Sequence, residues 1–179
     1  VVVVGIAVAL MLISPELVLI FGSPKYREAV YVIPPVAASV FFIFIYNILS
    51  MPQFYYEKTQ FLMAASMAAA GANVVLNFIF IRLFGYIAAG YTTLACYMLY
   101  SVGHYIVSKR ILVNEGIQEN LMNPGFLVAC SVFLIGASII CNLIFPYRIL
   151  RYAILLASAG LVFWKKELLL KTMADIRKK

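Results

Sequence analysis

A nearly unbroken apolar run, NVVLNFIFIRLF, ends at Phe84, and after Gly85 a second apolar run opens at once with Ala88, Ala89 and Gly90. Too little separates the two runs for a soluble loop. Residues 73–93 therefore read as a helical hairpin in hydrocarbon, turned at a glycine that tolerates the φ > 0 geometry ending a helix. On the first helix Asn73 and Asn77 are four apart and share a face that Ser66 and Ala70 extend. A carboxamide facing lipid is costly, so this face is expected to meet another helix or a water-filled cavity.

The rest of the chain has the same character. Only 12% of residues are charged and 65% are hydrophobic, with a mean hydropathy of +1.00, whereas soluble domains carry about a quarter charged residues. The acids, Glu16, Glu28, Glu57, Glu115, Glu119, Glu167 and Asp175, fall outside or at the margins of the apolar runs. Those runs lack the alternation of a membrane barrel. The expected fold is all-α and integral to a membrane, a bundle of about six transmembrane helices. The spans are expected at residues 1–13, 29–53, 61–84, 86–107, 124–145 and 149–164, followed by a basic tail at 165–179. The chain opens on Val1 inside an apolar run and is expected to be a piece of a longer protein.

Local signals refine this outline. Ser14, Pro15 and Glu16 have the chemistry of a helix start, so a short interfacial helix is expected from there to Phe21. Pro34 and Pro35 are expected to kink the outer end of the second span. Ser39, Tyr46, Ser50 and Gln53 form one stripe along that span. The small residues between Met63 and Ala72 allow close helix approach, which would make the third span central in its bundle. On the fourth span Thr93, Tyr97, Tyr100 and His104 recur at four, three and four. Residues 109–122 read as the longest polar connection, and Asn123 with Pro124 caps the fifth span.

Net charge +7 does not point to nucleic acid, because the basic residues are scattered between spans or gathered in the tail. Lys58, Lys109, Arg110 and the tail residues Lys165, Lys166, Lys171, Arg177, Lys178 and Lys179 fall on one side. Lys25, Arg27, Arg82, Arg148 and Arg151 fall on the other. The positive-inside rule then puts the tail in the cytoplasm, with Trp164 as an interfacial anchor and a weak amphipathic helix beyond it. Cys96, Cys130 and Cys141 lie in apolar runs and read as small core residues.

Two stretches carry a family resemblance. PELVLIFGSPKYREAVYVIPP resembles the segment of polysaccharide export proteins in which a proline-glutamate-leucine start, a phenylalanine-glycine and a tyrosine-alanine pair precede a span. NVVLNFIFIRLFGYIAAGYTTLACY resembles their asparagine-bearing span, glycine turn and small-residue helix start. With the shared span pattern the likeness covers residues 14–107. It departs at Arg82, where the family often has proline, and at Tyr91, where a small residue is common. The family is the oligosaccharide-lipid flippases, in the superfamily that also holds multidrug extruders and the peptidoglycan-precursor flippase. The resemblance implies a transporter of the bacterial inner membrane with two six-helix lobes around a cavity, moving by alternating access. This chain would be the C-terminal lobe, partnered by a missing N-terminal lobe. The cargo would be a polyprenyl-diphosphate-linked oligosaccharide, turned to the outer leaflet as a repeat unit for O-antigen, capsule or exopolysaccharide.

Such a cargo needs a polar, aromatic cavity for glycan hydroxyls and cations for the diphosphate. Ser39, Tyr46, Asn73, Asn77, Thr93, Tyr97, Tyr100 and His104 are the candidates for the cavity. Taken singly, each reads first as an interhelical hydrogen-bonding group, the asparagine pair above all. His104 is either titratable in a proton-coupled cycle or a satisfied residue near the end of its span. Arg82, Arg148 and Arg151 on one side, with Lys58, Lys109 and Arg110 on the other, are candidate diphosphate contacts or plain topology determinants. The sequence offers no Gly-rich phosphate loop, spaced carboxylate pair, metal-ligand cluster or nucleophile with a base, so no enzyme activity, metal or cofactor is expected. Two alternatives remain: a cation-coupled drug extruder and a non-transporting membrane partner of a polysaccharide synthesis complex.

Overall fold

A computed structural model of the chain describes residues 2–22, 24–117 and 121–164. It is all-α, with α1 (Val2–Phe21), a 3₁₀ segment (Pro24–Tyr31), α2 (Ile33–Tyr55), α3 (Gln60–Phe84), α4 (Ala88–Asn114), α5 (Pro124–Ile144) and α6 (Arg148–Trp164). Helices α1, α2, α3 and α5 are each long and apolar enough to cross a bilayer, which makes this a multi-pass membrane protein. Two compact units divide the chain, Val1–Asn142 and Leu143–Lys179. The expected tail, 165–179, and the Trp164 side chain lie outside what is described.

The first unit is built on α4. This helix packs along α2 most extensively and along α3 next, while α1 packs on α2. Ser101 Oγ donates to the Phe42 carbonyl at 2.9 Å, and Ser108 Oγ donates to the Leu49 carbonyl. Donors seven apart meet acceptors seven apart in the same order, so α2 and α4 run parallel in a fixed heptad register. At the other end of this seam a Cβ on Gly90 would lie 2.8 Å from Pro35 Cγ and 2.9 Å from the Val32 carbonyl oxygen. Only glycine lets the two backbones approach there. Because Thr92, Ser101 and Ser108 bond to groups on neighbouring helices, α4 can be the most polar of the long helices and still pack along both α2 and α3.

Several expectations are corrected. The Ser14-Pro15-Glu16 stretch does not start a new interfacial helix; α1 runs through it to Phe21 with Pro15 inside. Proline at 15 removes the N–H that would bond the Met11 carbonyl, and Ser14 Oγ donates to that same carbonyl at 2.8 Å while fully buried. In lipid, continuing the helix leaves one carbonyl to satisfy, whereas breaking it would leave several groups bare. Pro34 and Pro35 do not kink a span. They sit in the first turn of α2, where the missing N–H groups would be unpaired anyway, and the preceding turn is 3₁₀.

Helix α3 is not central. None of its residues is fully buried, and α4 is the helix it packs on. Its alanines offer little area to bury, and nothing lies within 4 Å of a Cβ placed on Gly71. The expected polar connection at 109–122 is shorter than read, because α4 continues to Asn114 with Ile111 and Leu112 buried.

Other expectations hold. Gly85 ends α3 at φ 77°, its N–H donating to the Ile81 carbonyl at 2.9 Å, and α4 starts three residues later. Asn123 Oδ1 accepts from the Gly125 and Phe126 amides at 2.9 and 3.4 Å, capping α5. Lys58 pairs with Glu115 at 3.5 Å, an exposed bridge of small energetic weight. In the second unit, the Tyr147 N–H donates to the Ile144 carbonyl at 2.8 Å in the turn before α6.

Candidate functional site

A cleft of about 470 Å³ in the first unit is lined by residues of α2, α3 and α4. Tyr46 comes from α2, Ser66 and Asn73 from α3, and Thr93, Tyr97 and Tyr100 from α4, with Cys96 on the floor. The helical spacings read from the sequence place Ser66 with Asn73 and Thr93 with Tyr97 and Tyr100 at one opening, while of the α2 stripe only Tyr46 reaches it. The Tyr46 and Tyr97 rings lie parallel, 6° apart, with centroids separated by 6.3 Å; Tyr100 meets Tyr46 edge-on at 4.7 Å. Ser66 Oγ and Tyr100 Oη are 2.6 Å apart, bridging α3 and α4 across the cleft.

The asparagines knit the hairpin. Asn77 Nδ2 donates to Asn73 Oδ1 at 2.9 Å, and Thr92 Oγ1 donates to Asn77 Oδ1 at 2.6 Å. Asn77 is thereby tied to both helices, while Asn73 lines the cleft. Thr93 Oγ1 donates to the Ala89 carbonyl at 2.8 Å, leaving its lone pairs toward the cleft.

His104 lies beneath the tyrosines, fully buried, its ring 4.5 Å from the Tyr100 centroid and perpendicular to it. Gln53 Nε2 is 2.9 Å from both His104 Nδ1 and Ser108 Oγ. Since Ser108 gives its hydrogen to Leu49, it must accept from Gln53, which fixes the amide orientation. The second amide hydrogen then points to His104 Nδ1, so the imidazole carries its hydrogen on Nε2. Among the described residues His104 Nε2 and Gln53 Oε1 have no hydrogen-bonding partner.

Ser39, Arg82, Lys109 and Arg110 are not among the residues lining this cleft. Ser39 is buried in α2 and donates to the Val36 carbonyl at 2.6 Å. Arg82, at the far end of α3, stands 3.9 Å over the Phe78 ring. Lys109 and Arg110 are exposed on the last turns of α4, Lys109 on the face turned away from the cleft residues. Arg148 and Arg151 belong to the second unit; Arg148 is exposed, and Arg151 is buried with its guanidinium 5.2 Å from the Tyr152 ring centroid.

Sequence reasoning missed the Ser101 and Ser108 seam and the part played by Thr92. The signal was present as a seven-residue repeat of serines facing a helix that ends in Gln53. The cleft has rings for stacking and amides and hydroxyls for polar hydrogen bonding, without a carboxylate among its lining residues. Among the described residues no group of His, Cys, Asp and Glu could hold a metal ion. No protein-family model, curated protein or solved structure matches this chain.

Proposed function

We propose that this chain is the C-terminal lobe of a flippase that moves polyprenyl-diphosphate-linked oligosaccharide repeat units from the cytoplasmic to the outer leaflet by alternating access. The observation that carries this reading is the cleft of tyrosines, asparagine, threonine and serine that α4 forms with α2 and α3, two helices fit for hydrocarbon. Polar groups held there are costly unless they meet protein, water or a polar cargo. A glycan suits them: its hydroxyls hydrogen-bond amides and phenols, and its apolar faces stack on parallel rings such as Tyr46 and Tyr97. An ion or a cationic drug would call for a carboxylate, which the lining lacks.

In this reading all six helices span the bacterial inner membrane, with the tail cytoplasmic. Arg82 and Arg110, at opposite ends of the hairpin, offer cations to a diphosphate. The partners are the bilayer, the lipid-linked sugar and an N-terminal lobe closing the cleft over the unburied side of α3. The test is translocation of fluorescent lipid-linked oligosaccharide by the full-length protein in proteoliposomes. Accelerated flipping that is lost in Tyr97→Ala and Asn73→Ala supports the reading. Drug efflux with no movement of the sugar lipid would overturn it.

A further inference from the structure

A second depression, of about 360 Å³, lies on another side of the α2/α4 pair, between it and α5. Phe42 and Ile45 of α2, Val102 and Tyr105 of α4, and Val128 and Val132 of α5 form its walls. The serine hydroxyls that reach it are already committed, Ser101 to the carbonyls of Phe42 and Tyr97 and Ser131 to that of Leu127. The gap arises because α5 is tied down at one end only. There Asn142 Nδ2 donates to Tyr91 Oη at 2.9 Å and to the Tyr31 carbonyl at 3.3 Å, and Leu134 and Cys141 are buried. Toward Pro124 the helix stands off.

Water cannot fill such a groove, since it needs two to four polar partners. Leaving it empty forfeits the dispersion contacts that close packing provides. At bilayer depth the material at hand is a hydrocarbon chain. The mouth adds a charge. Val102 and Tyr105 lead at spacings of seven and four to Lys109, on the same face of α4 and about 6 Å further along the axis. Lys109 is exposed. The positive end of the α5 dipole lies at this same end, and the nearby Glu115 carboxylate is paired with Lys58.

We propose that this groove is a binding site for an anionic phospholipid of the adjoining leaflet, one acyl chain between α5 and the α2/α4 pair and its phosphate at Lys109. The lipid acts as a wedge that completes the packing of α5. The site requires only that the chain spans a bilayer and is independent of what the tyrosine cleft carries.

The full chain is reconstituted in phosphatidylcholine vesicles containing a trace of phosphatidylglycerol with a photoreactive diazirine on one acyl chain, or phosphatidylcholine bearing the same label. After illumination the adducts are mapped by peptide mass spectrometry. The expected result is phosphatidylglycerol labelling concentrated at Met98–Tyr105 and Leu127–Ile135, above that of the exposed face of α3. Lys109→Ala should lower it about fivefold, the weight of one basic residue at an anionic surface. Val128→Phe, which fills the groove, should move the label elsewhere, and the exposed Lys109→Ala change serves if that variant does not fold. Equal labelling by the two lipids, equal labelling of α3, or indifference to Lys109→Ala would each overturn the proposal.

Discussion

Gln53 Nε2 donates to both His104 Nδ1 and Ser108 Oγ, so replacing Gln53 alone takes the donor away from two buried acceptors. Gln53→Leu leaves His104 Nδ1 without its donor, and the expected loss is about 2 kcal/mol. Adding His104→Phe removes the orphaned nitrogen and should restore part of that loss, measured as the apparent Tm in detergent for the single and double variants. At the start of the same seam Gly90→Ala forces a methyl onto Pro35 Cγ and the Val32 carbonyl. Overpacking of this kind costs about 1–3 kcal/mol, which should lower the Tm by about 5 °C. Much of the cleft was legible at this scale. Thr93, Tyr97 and Tyr100 share a stripe in the sequence and an opening in the structure. What spacing could not say is which polar residue satisfies its own helix: Ser39 sits on the Tyr46 stripe but turns its hydroxyl back to Val36.

Helix boundaries were legible wherever a glycine or an asparagine cap set them, as at Gly85 and Asn123, and misleading at proline. Ser-Pro-Glu starts helices in water, because solvent takes up the groups left bare by the break. At bilayer depth no solvent does so, and Ser14 repairs the helix instead. The pair can be tested as a unit. Ser14→Ala should cost about 1 kcal/mol by orphaning the Met11 carbonyl. In a Pro15→Ala background, where the backbone N–H returns, the same change should cost close to nothing, and unfolding of all four combinations gives the coupling. The third span was misread for a related reason. Small residues permit close approach without saying whether a neighbour takes it up, and in this unit the close approach is made by α4 onto α2.

Across the whole molecule, the polar cleft and the unburied side of α3 make accessibility the sharpest measurement. Against a background with the native Cys96, Cys130 and Cys141 replaced by serine or alanine, cysteines at Asn73 and Tyr97 should react with a membrane-impermeant maleimide. Cysteines at Val40 and Phe44, on the outer stripe of α2, should resist it. Reaction at the α2 positions with none in the cleft would mean that the tyrosines face acyl chains. The all-helical, membrane-spanning class was written in composition, but the arrangement of helices was not, since hydropathy is blind to which side of a helix its neighbours choose. One consequence follows from the serine seam. Two hydroxyls seven residues apart act as rungs, and slipping α4 along α2 by a turn would break both bonds at once. The two helices are thereby held as a single bar, and α3 is pinned to that bar by the bonds from Thr92 to Asn77 and between Ser66 and Tyr100.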